Sequence, residues 1–379
     1  MDITRALDLA GILQHKSCFL YGPRQTGKSW LIRHTLGQYR SYNLLESDTY
    51  LKLSRSPSRL REECTTDEKI VIIDEIQKLP ALLDEIHALI EDHGIRFLLT
   101  GSSARKMRRG GVNLLGGRAW VRQLHPFCYH ELQKHFDLLR AVNYGLLPPV
   151  FLSDMPEEDL QSYAGTYLRE EIAAEGLTRN IPAFSRFLEV ASLCNTRMIN
   201  YTNIANDAQV ARSTVQEYFQ VLKDTLIACE LPGWRKTIKR KAIGMSKLYF
   251  FDPGVVRLLQ RRSLIQIGSP EFGEAFEHYI HHELHCFTDY GRQGELCYWN
   301  SASGFEVDFV LADMTAIEVK SSKTIGGQDF KGLRALKEEG KLKNYVLVCM
   351  EKEARTVDGI RVLPWKVFLE ELWAGKLTE

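Results

Sequence analysis

Residues 22–29 of the chain read GPRQTGKS, and this stretch decides the fold of the first part of the protein. It follows SCFLY at 17–21, a short apolar strand candidate, and precedes WLIRHTLGQ, whose apolar residues fall on one side of a helix. Strand, glycine-rich loop and helix in this order are the context that a Walker A phosphate-binding loop requires. The sequence therefore predicts a site for a nucleoside triphosphate, and we take ATP as the nucleotide.

The residue types of this loop suit phosphate chemistry. Gly22 and Gly27 allow the backbone to wrap closely around phosphate oxygens, and Lys28 neutralises the terminal phosphates. Ser29 offers its hydroxyl group to a magnesium ion. A glycine turn with a chance lysine is the alternative, and the complete GxxxxGKS spacing argues against it.

Two later strands predict the rest of the nucleotide site. KIVIIDEIQKLP at 69–80 is a buried strand that ends in Asp74, a predicted ligand of magnesium, and Glu75, the predicted base for the attacking water. IRFLLTGSSARK at 95–106 delivers small polar groups to the same edge, where either Thr100 or Ser102 would sense the terminal phosphate. The predicted nucleotide-binding residues are Gly22, Pro23, Arg24, Gln25, Thr26, Gly27, Lys28, Ser29, Thr100 and Ser102.

A basic stretch follows the third strand and supplies a candidate arginine finger. Arg118, after a glycine pair, is the residue that we expect to stabilise transition-state charge, in cis or on a neighbouring subunit. The alternative is a surface arginine that anchors a loop to a carboxylate. The other cations of the stretch are Arg105, Lys106, Arg108, Arg109 and Arg122.

Four strings in this order, GPRQTGKS, VIIDEIQKLP, LLTGSSA and LLGGRAWVRQLHPFCYHEL, resemble those of prokaryotic AAA-type P-loop ATPases with a C-terminal DUF4143 domain. GLLPP at 145–149 and TYLREEI at 166–172 extend the resemblance along the chain. Glu170 or Glu171 stands where that family leads us to expect an aspartate, so no role is carried over there.

The middle of the chain predicts a helical bridge followed by a DNA-binding winged helix. Residues 201–227 have helix-turn-helix spacing, and Arg212, Ser213 and Thr214 would lead its recognition helix. Two strand candidates, ACELPGW and KLYFFD, flank a predicted basic wing that would meet DNA phosphates. A contact with protein, or a solvated charged face, is the alternative. The wing cations are Arg235, Lys236, Lys239, Arg240 and Lys241, with Lys247 beyond them.

The last hundred residues suggest a metal-dependent acidic centre. Asp308 is followed after nine residues by Glu318 and then Lys320, and adjacent antiparallel strands would bring the two acids together around a divalent ion. Lys320 shares a strand face with Glu318 and could position water. The pattern resembles PD-(D/E)XK nucleases, and the resemblance implies Glu277, or Glu274 as the second choice, as the remaining metal ligand.

Four histidines on the helix before this pattern, His278, His281, His282 and His285, invite a metal interpretation because they share a helix face. Their order is HHELH and not HExxH, so we predict a polar helix face.

Length and composition favour several globular domains. The 379 residues exceed what one core serves, and we predict an α/β fold in three parts: a P-loop NTPase parallel sheet at 1–138, a helical and winged-helix region at 139–265, and an α+β restriction-endonuclease-like domain at 266–379. Eight dispersed cysteines suggest reduced thiols, and the lack of a secretory pattern favours the cytoplasm. A net charge of +1 gives no global sign of nucleic-acid binding.

The predicted function is an ATPase that uses ATP and Mg²⁺ and is coupled to a DNA-associated, nuclease-like module. The alternatives are a regulatory switch that recognises a protein partner, with a catalytically silent C-terminal domain, and a remodelling ATPase that assembles into a homo-oligomeric ring.

Overall fold

A computed structural model describes residues 3–65, 67–101, 115–167 and 180–379, with the backbone alone for residues 166 and 167. Its contacts form two compact units. Thr4–Pro126 together with Asp224–Ile227 form the first, here the N-terminal unit; Phe127–Lys223 and Ala228–Glu379 belong to the second, here the C-terminal unit. No helix in the described ranges is long and apolar enough to cross a membrane.

A five-stranded parallel sheet organises the N-terminal unit, in the order β2-β3-β4-β1-β5. The strands are β1 (Ser17–Tyr21), β2 (Arg40–Asn43), β3 (Ile70–Asp74), β4 (Arg96–Gly101) and β5 (Ala119–Gln123). The helices are α1 (Leu9–His15), α2 (Lys28–Leu36), α3 (Ser47–Arg55), α4 (Arg59–Glu63) and α5 (Leu82–His93). The sheet confirms the predicted mixed α/β fold and is consistent with a P-loop NTPase.

The central strands of this sheet follow from their sequences. β1, β3 and β4 are runs of apolar residues buried on both faces, as parallel strands covered by helices require. β4 lies between β1 and β3, so their three C-terminal ends meet at one edge. That edge holds the loop 22–29, Asp74 and Thr100.

The C-terminal unit begins with helices and a short antiparallel hairpin. The helices are α6 (Tyr129–Leu132), α7 (Leu138–Tyr144), α8 (Pro148–Phe151), α9 (Pro156–Ser162), α10 (Ile181–Leu193), α11 (Tyr201–Ala208) and α12 (Arg212–Asp224). The hairpin is β6 (Ala228–Leu231) with β7 (Lys247–Phe250), followed by α13 (Pro253–Leu259). The predicted apolar face of α12, Val215, Tyr218, Val221 and Leu222, is buried. The winged-helix assignment itself stays a prediction.

A six-stranded mixed sheet completes this unit, in the order β12-β13-β11-β10-β9-β8. Its elements are α14 (Pro270–Gly291), β8 (Leu296–Asn300), β9 (Glu306–Leu311), β10 (Thr315–Val319), α15 (Lys331–Lys337), β11 (Asn344–Cys349), β12 (Arg355–Val357), β13 (Ile360–Pro364) and α16 (Trp365–Trp373). β9 and β10 are antiparallel neighbours, as predicted for the strands of Asp308 and Glu318. The nuclease-like assignment and the three-part division of the chain stay predictions.

Candidate active site

The loop 22–29 curls tightly between β1 and α2. Gln25 and Gly27 have left-handed backbones, with φ of 62° and 94°, and Thr26 Oγ1 donates to the Pro23 carbonyl oxygen at 2.9 Å. At Gly22 a Cβ atom would lie 2.5 Å from the Leu124 carbonyl oxygen, so glycine is required there. Left-handed turns of this kind gather backbone N–H groups into an anion-binding concavity.

Lys28 is the first residue of α2 and is buried. Its Nζ donates to the carbonyl oxygens of Gly22 at 2.6 Å and Pro23 at 3.0 Å, which keeps the ammonium group inside the curl of the loop. Ser29 is exposed one residue later. The cation therefore lies where phosphate oxygens would approach the helix N-terminus.

Arg5 braces this loop, and the sequence interpretation missed it. Its guanidinium group is buried and donates to the Thr26 carbonyl oxygen from Nη1 and to the His125 carbonyl oxygen from Nη2, each at 2.6 Å. A lone arginine ahead of the first helix carries no motif, so only the contact across 21 residues reveals its role.

Asp74, Glu75 and Thr100 form one hydrogen-bonded group at the edge of the sheet. The Thr100 hydroxyl donates to Asp74 Oδ1 and accepts from the Glu75 backbone N–H at 3.2 Å. The Glu75 backbone is left-handed, with φ of 61°, a conformation that costs energy and recurs at functional sites. Thr100, one of the two predicted phosphate sensors, thus contacts the carboxylate of Asp74 and the backbone of Glu75; Ser102 lies outside the described residues.

Gln77 is a second residue that the sequence interpretation missed. Its Nε2 donates to Glu75 Oε2, so the amide group fixes the carboxylate that we predict to act as the base. The DEIQ string contains Gln77, but spacing alone gives no reason to pair its side chain with Glu75.

Arg118 forms an ion pair with Glu91 on α5. This is the arrangement expected for a surface arginine anchored to a carboxylate, and the role of arginine finger stays a prediction. Arg122 stacks over the Trp120 ring with 5.1 Å between the guanidinium carbon and the ring centroid. Arg105, Lys106, Arg108 and Arg109 lie outside the described residues.

The predicted acidic centre of the C-terminal unit is brought together from α14, β9 and β10. Burial and then the charge of Asp308 raise the pKa of Glu277 to about 7, and the same two causes raise the pKa of Glu318. Asp308 Oδ2 accepts from the Val319 N–H at 2.8 Å, and Lys320 Nζ lies 2.5 Å from Glu318 Oε1.

Of the two glutamates proposed for α14, Glu277 is the one at the centre. Glu274 instead accepts from Gln260 Nε2 at 2.8 Å and from Arg262 Nη2 at 2.9 Å. The two residues are three positions apart, so the helix turns them toward different neighbours.

The predicted basic wing is partly paired with acidic side chains of the same unit, and its contact with DNA stays a prediction. Lys236 pairs with Asp313 at 2.7 Å, and Arg240 donates to Ala335 O at 2.9 Å and pairs with Glu338 and Glu339. The loop also runs along β8, where the Trp234 N–H donates to the Tyr298 carbonyl oxygen at 2.6 Å and the Ala302 N–H donates to the Lys241 carbonyl oxygen at 2.9 Å. Acidic side chains from the C-terminal sheet region therefore neutralise part of the wing.

Lys247 also differs from its predicted place among the wing cations. It is buried, and its Nζ lies 2.6 Å from Glu306 Oε1, within the acidic centre. Arg212 and Ser213, in contrast, are exposed at the start of α12, and Thr214 is half-buried.

The predicted polar face of the α14 histidines is largely buried, because other parts of the C-terminal unit cover it. His278, His281 and His282 are buried. His278 Nε2 lies 2.7 Å from the Phe250 carbonyl oxygen, His282 Nε2 lies 2.9 Å from the Phe127 carbonyl oxygen, and the His281 ring stacks on Tyr249 with centroids 3.8 Å apart. The HHELH string has helical spacing but does not reveal that β7 covers the helix.

Comparisons with known proteins identify the class of these regions. Residues 14–133 match the AAA domain, residues 135–265 a domain of unknown function, DUF8612, and residues 272–368 a second such domain, DUF4143. The chain thus carries an AAA-type P-loop ATPase domain and a C-terminal DUF4143 domain, which confirms the resemblance drawn from its motifs. The DUF8612 match was not predicted.

Similar proteins occur in bacteria and archaea. Uncharacterized proteins of Mycobacterium bovis and Mycobacterium tuberculosis are each 23% identical over 316 residues, which span 82% of this chain and 69% of theirs. One of Methanocaldococcus jannaschii is 21% identical over 64% of this chain and 62% of its own. A STAND ATPase with a tetratricopeptide repeat sensor from Pyrococcus horikoshii aligns with a TM-score of 0.25 and 14% identity, over 75% of this chain and 45% of that one.

Proposed function

We propose that the N-terminal unit binds ATP with Mg²⁺ and hydrolyses it. The observation that carries the proposal is the pair of hydrogen bonds that join the Thr100 hydroxyl on β4 to Asp74 and Glu75 at the end of β3. They lie at the sheet edge that also holds Lys28. Charge neutralisation, metal ligands and a base are the parts that phosphoryl transfer needs.

Each part of this site has a chemical role in the proposal. Lys28 leaves its two carbonyl partners and pairs with the terminal phosphates. Ser29 and Asp74 offer the oxygen ligands that Mg²⁺ prefers, and the ion adds positive charge beside the phosphate oxygens. Glu75, oriented by Gln77, accepts a proton from the attacking water.

Replacing Thr100 with Val tests the proposed link between metal ligand and base. Valine keeps the shape but removes the hydroxyl that donates to the Asp74 carboxylate and accepts from the Glu75 backbone N–H, so we expect kcat for ATP hydrolysis to fall about 10- to 100-fold. Thr100→Ser keeps the hydroxyl and should retain most of the activity. Phosphate release, measured over a magnesium series, checks both variants, and turnover of Thr100→Val equal to that of wild type would contradict the role.

We further propose that the helical region contacts DNA through the start of α12. Arg212 and Ser213 are exposed on this helix, where the side chains that lead a recognition helix would lie. Lys239 and Lys241 are also exposed, whereas Lys236 and Arg240 are held by acids. The docked wing equally supports the alternative in which this loop serves as a protein contact.

Filter binding over a salt series separates these two functions. If Arg212 and Lys239 meet phosphates, each alanine variant should weaken duplex binding and reduce the slope of log affinity against log salt by about 1. Lys352→Ala, an exposed lysine on another loop, is the matched control. Affinity and slope that equal those of wild type in both variants would remove DNA as the partner of this surface.

For the C-terminal unit we propose a divalent-metal centre at Glu277, Asp308 and Glu318. Glu318 Oε2 is buried and has no hydrogen-bond partner among the residues that the structure describes, as expected of an atom with a cation for its partner. Three carboxylates and Lys320 are the groups that metal-assisted hydrolysis of a phosphodiester would use.

A further inference from the structure

A lysine ammonium group lies inside this acidic centre. Lys247 begins β7 and is 4% exposed. Its Nζ is 2.6 Å from Glu306 Oε1, 3.5 Å from Glu277 Oε1 and 3.9 Å from Asp308 Oδ1. Two of these three carboxylates belong to the proposed metal ligands, so a cation of the chain itself already lies among them.

The surroundings keep this ammonium group charged. Burial by itself lowers the pKa of Lys247, but the charges of Glu277, Asp308 and Glu306 outweigh burial and raise it above the ordinary value. A buried ammonium is tolerated where carboxylates surround it. Lys247 therefore acts as a fixed counter-ion of the centre.

A divalent ion would need the same oxygen atoms. Mg²⁺ requires carboxylate oxygens at about 2.0–2.1 Å in a near-octahedral arrangement. Glu277 Oε1 already accepts a hydrogen bond from the Tyr249 hydroxyl at 2.7 Å and lies beside Lys247. Two cations a few ångströms apart in a buried site repel each other strongly, so lysine and metal ion compete.

The position of Lys247 depends on the hairpin that carries it. Lys247 pairs with Leu231 of β6 and bridges Met198, in the segment between α10 and α11. The loop before it is held by Glu339, which accepts from the N–H groups of Ile238 at 2.8 Å and Lys239 at 2.7 Å. Withdrawal of the lysine therefore requires a shift of β7 relative to β9.

We propose that Lys247 is an inhibitory internal cation that competes with a divalent metal ion for Glu277 and Asp308, so that metal binds tightly only when β7 withdraws the lysine. The inference rests on the proposed metal centre and assigns its regulation. The β6–β7 hairpin links the centre to the helical region, which becomes the part of the chain that controls metal entry.

Manganese titration of the full-length protein without nucleotide, followed by electron paramagnetic resonance, tests this proposal. Manganese binding at the proposed centre is defined as the part of the bound manganese that is lost in Asp308→Asn. In wild type we expect this part to be weak. In Lys247→Met, which retains the length of the side chain without its charge, we expect it to tighten about tenfold or more, and Lys247→Met combined with Asp308→Asn should abolish the gain.

Glu306→Gln is the second variant, chosen because its outcome has a diagnostic sign. Loss of a carboxylate by itself weakens cation binding. Because Glu306 is the nearest anchor of Lys247 and is not a proposed metal ligand, we expect its removal to let Lys247 leave the centre and so to strengthen manganese binding. The Glu306 side chain is 41% exposed, so Glu306→Gln should fold even if Lys247→Met does not. Glu353→Gln, at an exposed glutamate elsewhere, is the control for charge alone.

The outcomes distinguish the inference from the proposed metal centre. Tight, Asp308-dependent binding in wild type that neither variant improves would overturn the inhibitory role of Lys247 and leave the metal centre supported. Absence of Asp308-dependent binding in wild type and both variants would overturn both. Tightening in either variant that Asp308→Asn removes supports both.

Discussion

Glu75→Gln is expected to lower ATP turnover by about 100- to 10,000-fold while ATP binding is retained. Glutamine keeps the size of the side chain and can still bond to Gln77, but it cannot accept a proton from water. The backbone N–H of Glu75, which donates to Thr100, is unaffected by the change. Single-turnover hydrolysis and equilibrium binding of a fluorescent ATP analogue measure the two quantities separately.

Lys28→Ala serves as the comparison because it should fail at a different step. The alanine variant loses the ammonium group that the start of α2 holds inside the curl of the phosphate loop, so both binding and turnover should fall. Turnover in Glu75→Gln close to that of wild type would remove Glu75 as the base. Turnover that persists in both variants would refute the site as a whole.

Arg5→Met is expected to loosen the phosphate loop and to destabilise the N-terminal unit by about 3 kcal/mol. Arg5 holds the carbonyl oxygens of Thr26 and His125, and methionine removes both of these buried hydrogen bonds. Because the loop then loses its fixed curl, the KM for ATP should rise about tenfold, in the range that loss of a supporting contact produces. ATP saturation curves and native-state hydrogen exchange of the β1 amides measure the two effects.

Two further variants distinguish a specific brace from a loss of charge. Arg5→Lys retains the charge but cannot donate in two directions with the geometry of a guanidinium group, so an intermediate effect is expected. Arg33→Met removes an exposed arginine on α2 whose Nε donates to the Ser29 carbonyl oxygen of the same helix at 3.2 Å, and it should leave both quantities unchanged. Equal KM and exchange protection in Arg5→Met and wild type would mean that the loop is held by its own backbone.

Local patterns predicted the turn, the helix start and the buried strands at this sheet edge because contiguous residues encode each of these elements, and the binding of nucleotide there stays a prediction. GPRQTGKS fixes a left-handed turn, a helix start and a lysine within eight positions, and the apolar run before Asp74 fixes a buried strand. Parallel strands bring their C-terminal ends to one edge, so the meeting of Asp74 with the loop could be expected from strand order. The hydrogen bonds of Thr100 with Asp74 and Glu75 could not be inferred from the sequence, and the choice between Thr100 and Ser102 as the phosphate sensor stays a prediction.

Sequence patterns failed to predict the environment of a side chain where that environment depends on residues far away in the sequence. The α14 histidines have the spacing of a polar face, but β7 and Phe127, which precedes α6, cover part of it, and burial cannot be inferred from one helix alone. The sequence assigns Arg240 and Lys236 to the wing as cations for DNA. Folding places acids from about 80 to 100 positions later beside them. The sequence gives the sign and the spacing of charged residues, but it does not show the groups with which they pair after folding.

Sequence patterns predicted the P-loop, the parallel strands that carry Asp74 and Thr100, and the neighbouring strands that carry Asp308 and Glu318, whereas folding placed Glu277 and not Glu274 beside them. Only the tertiary structure decided that Arg5 braces the loop and that Lys247 lies among the carboxylates. The two kinds of feature differ in the sequence separation of the residues that interact. Backbone turns and strand periodicity depend on adjacent residues, whereas the free energy of a buried charge depends on which groups from distant segments surround it after folding.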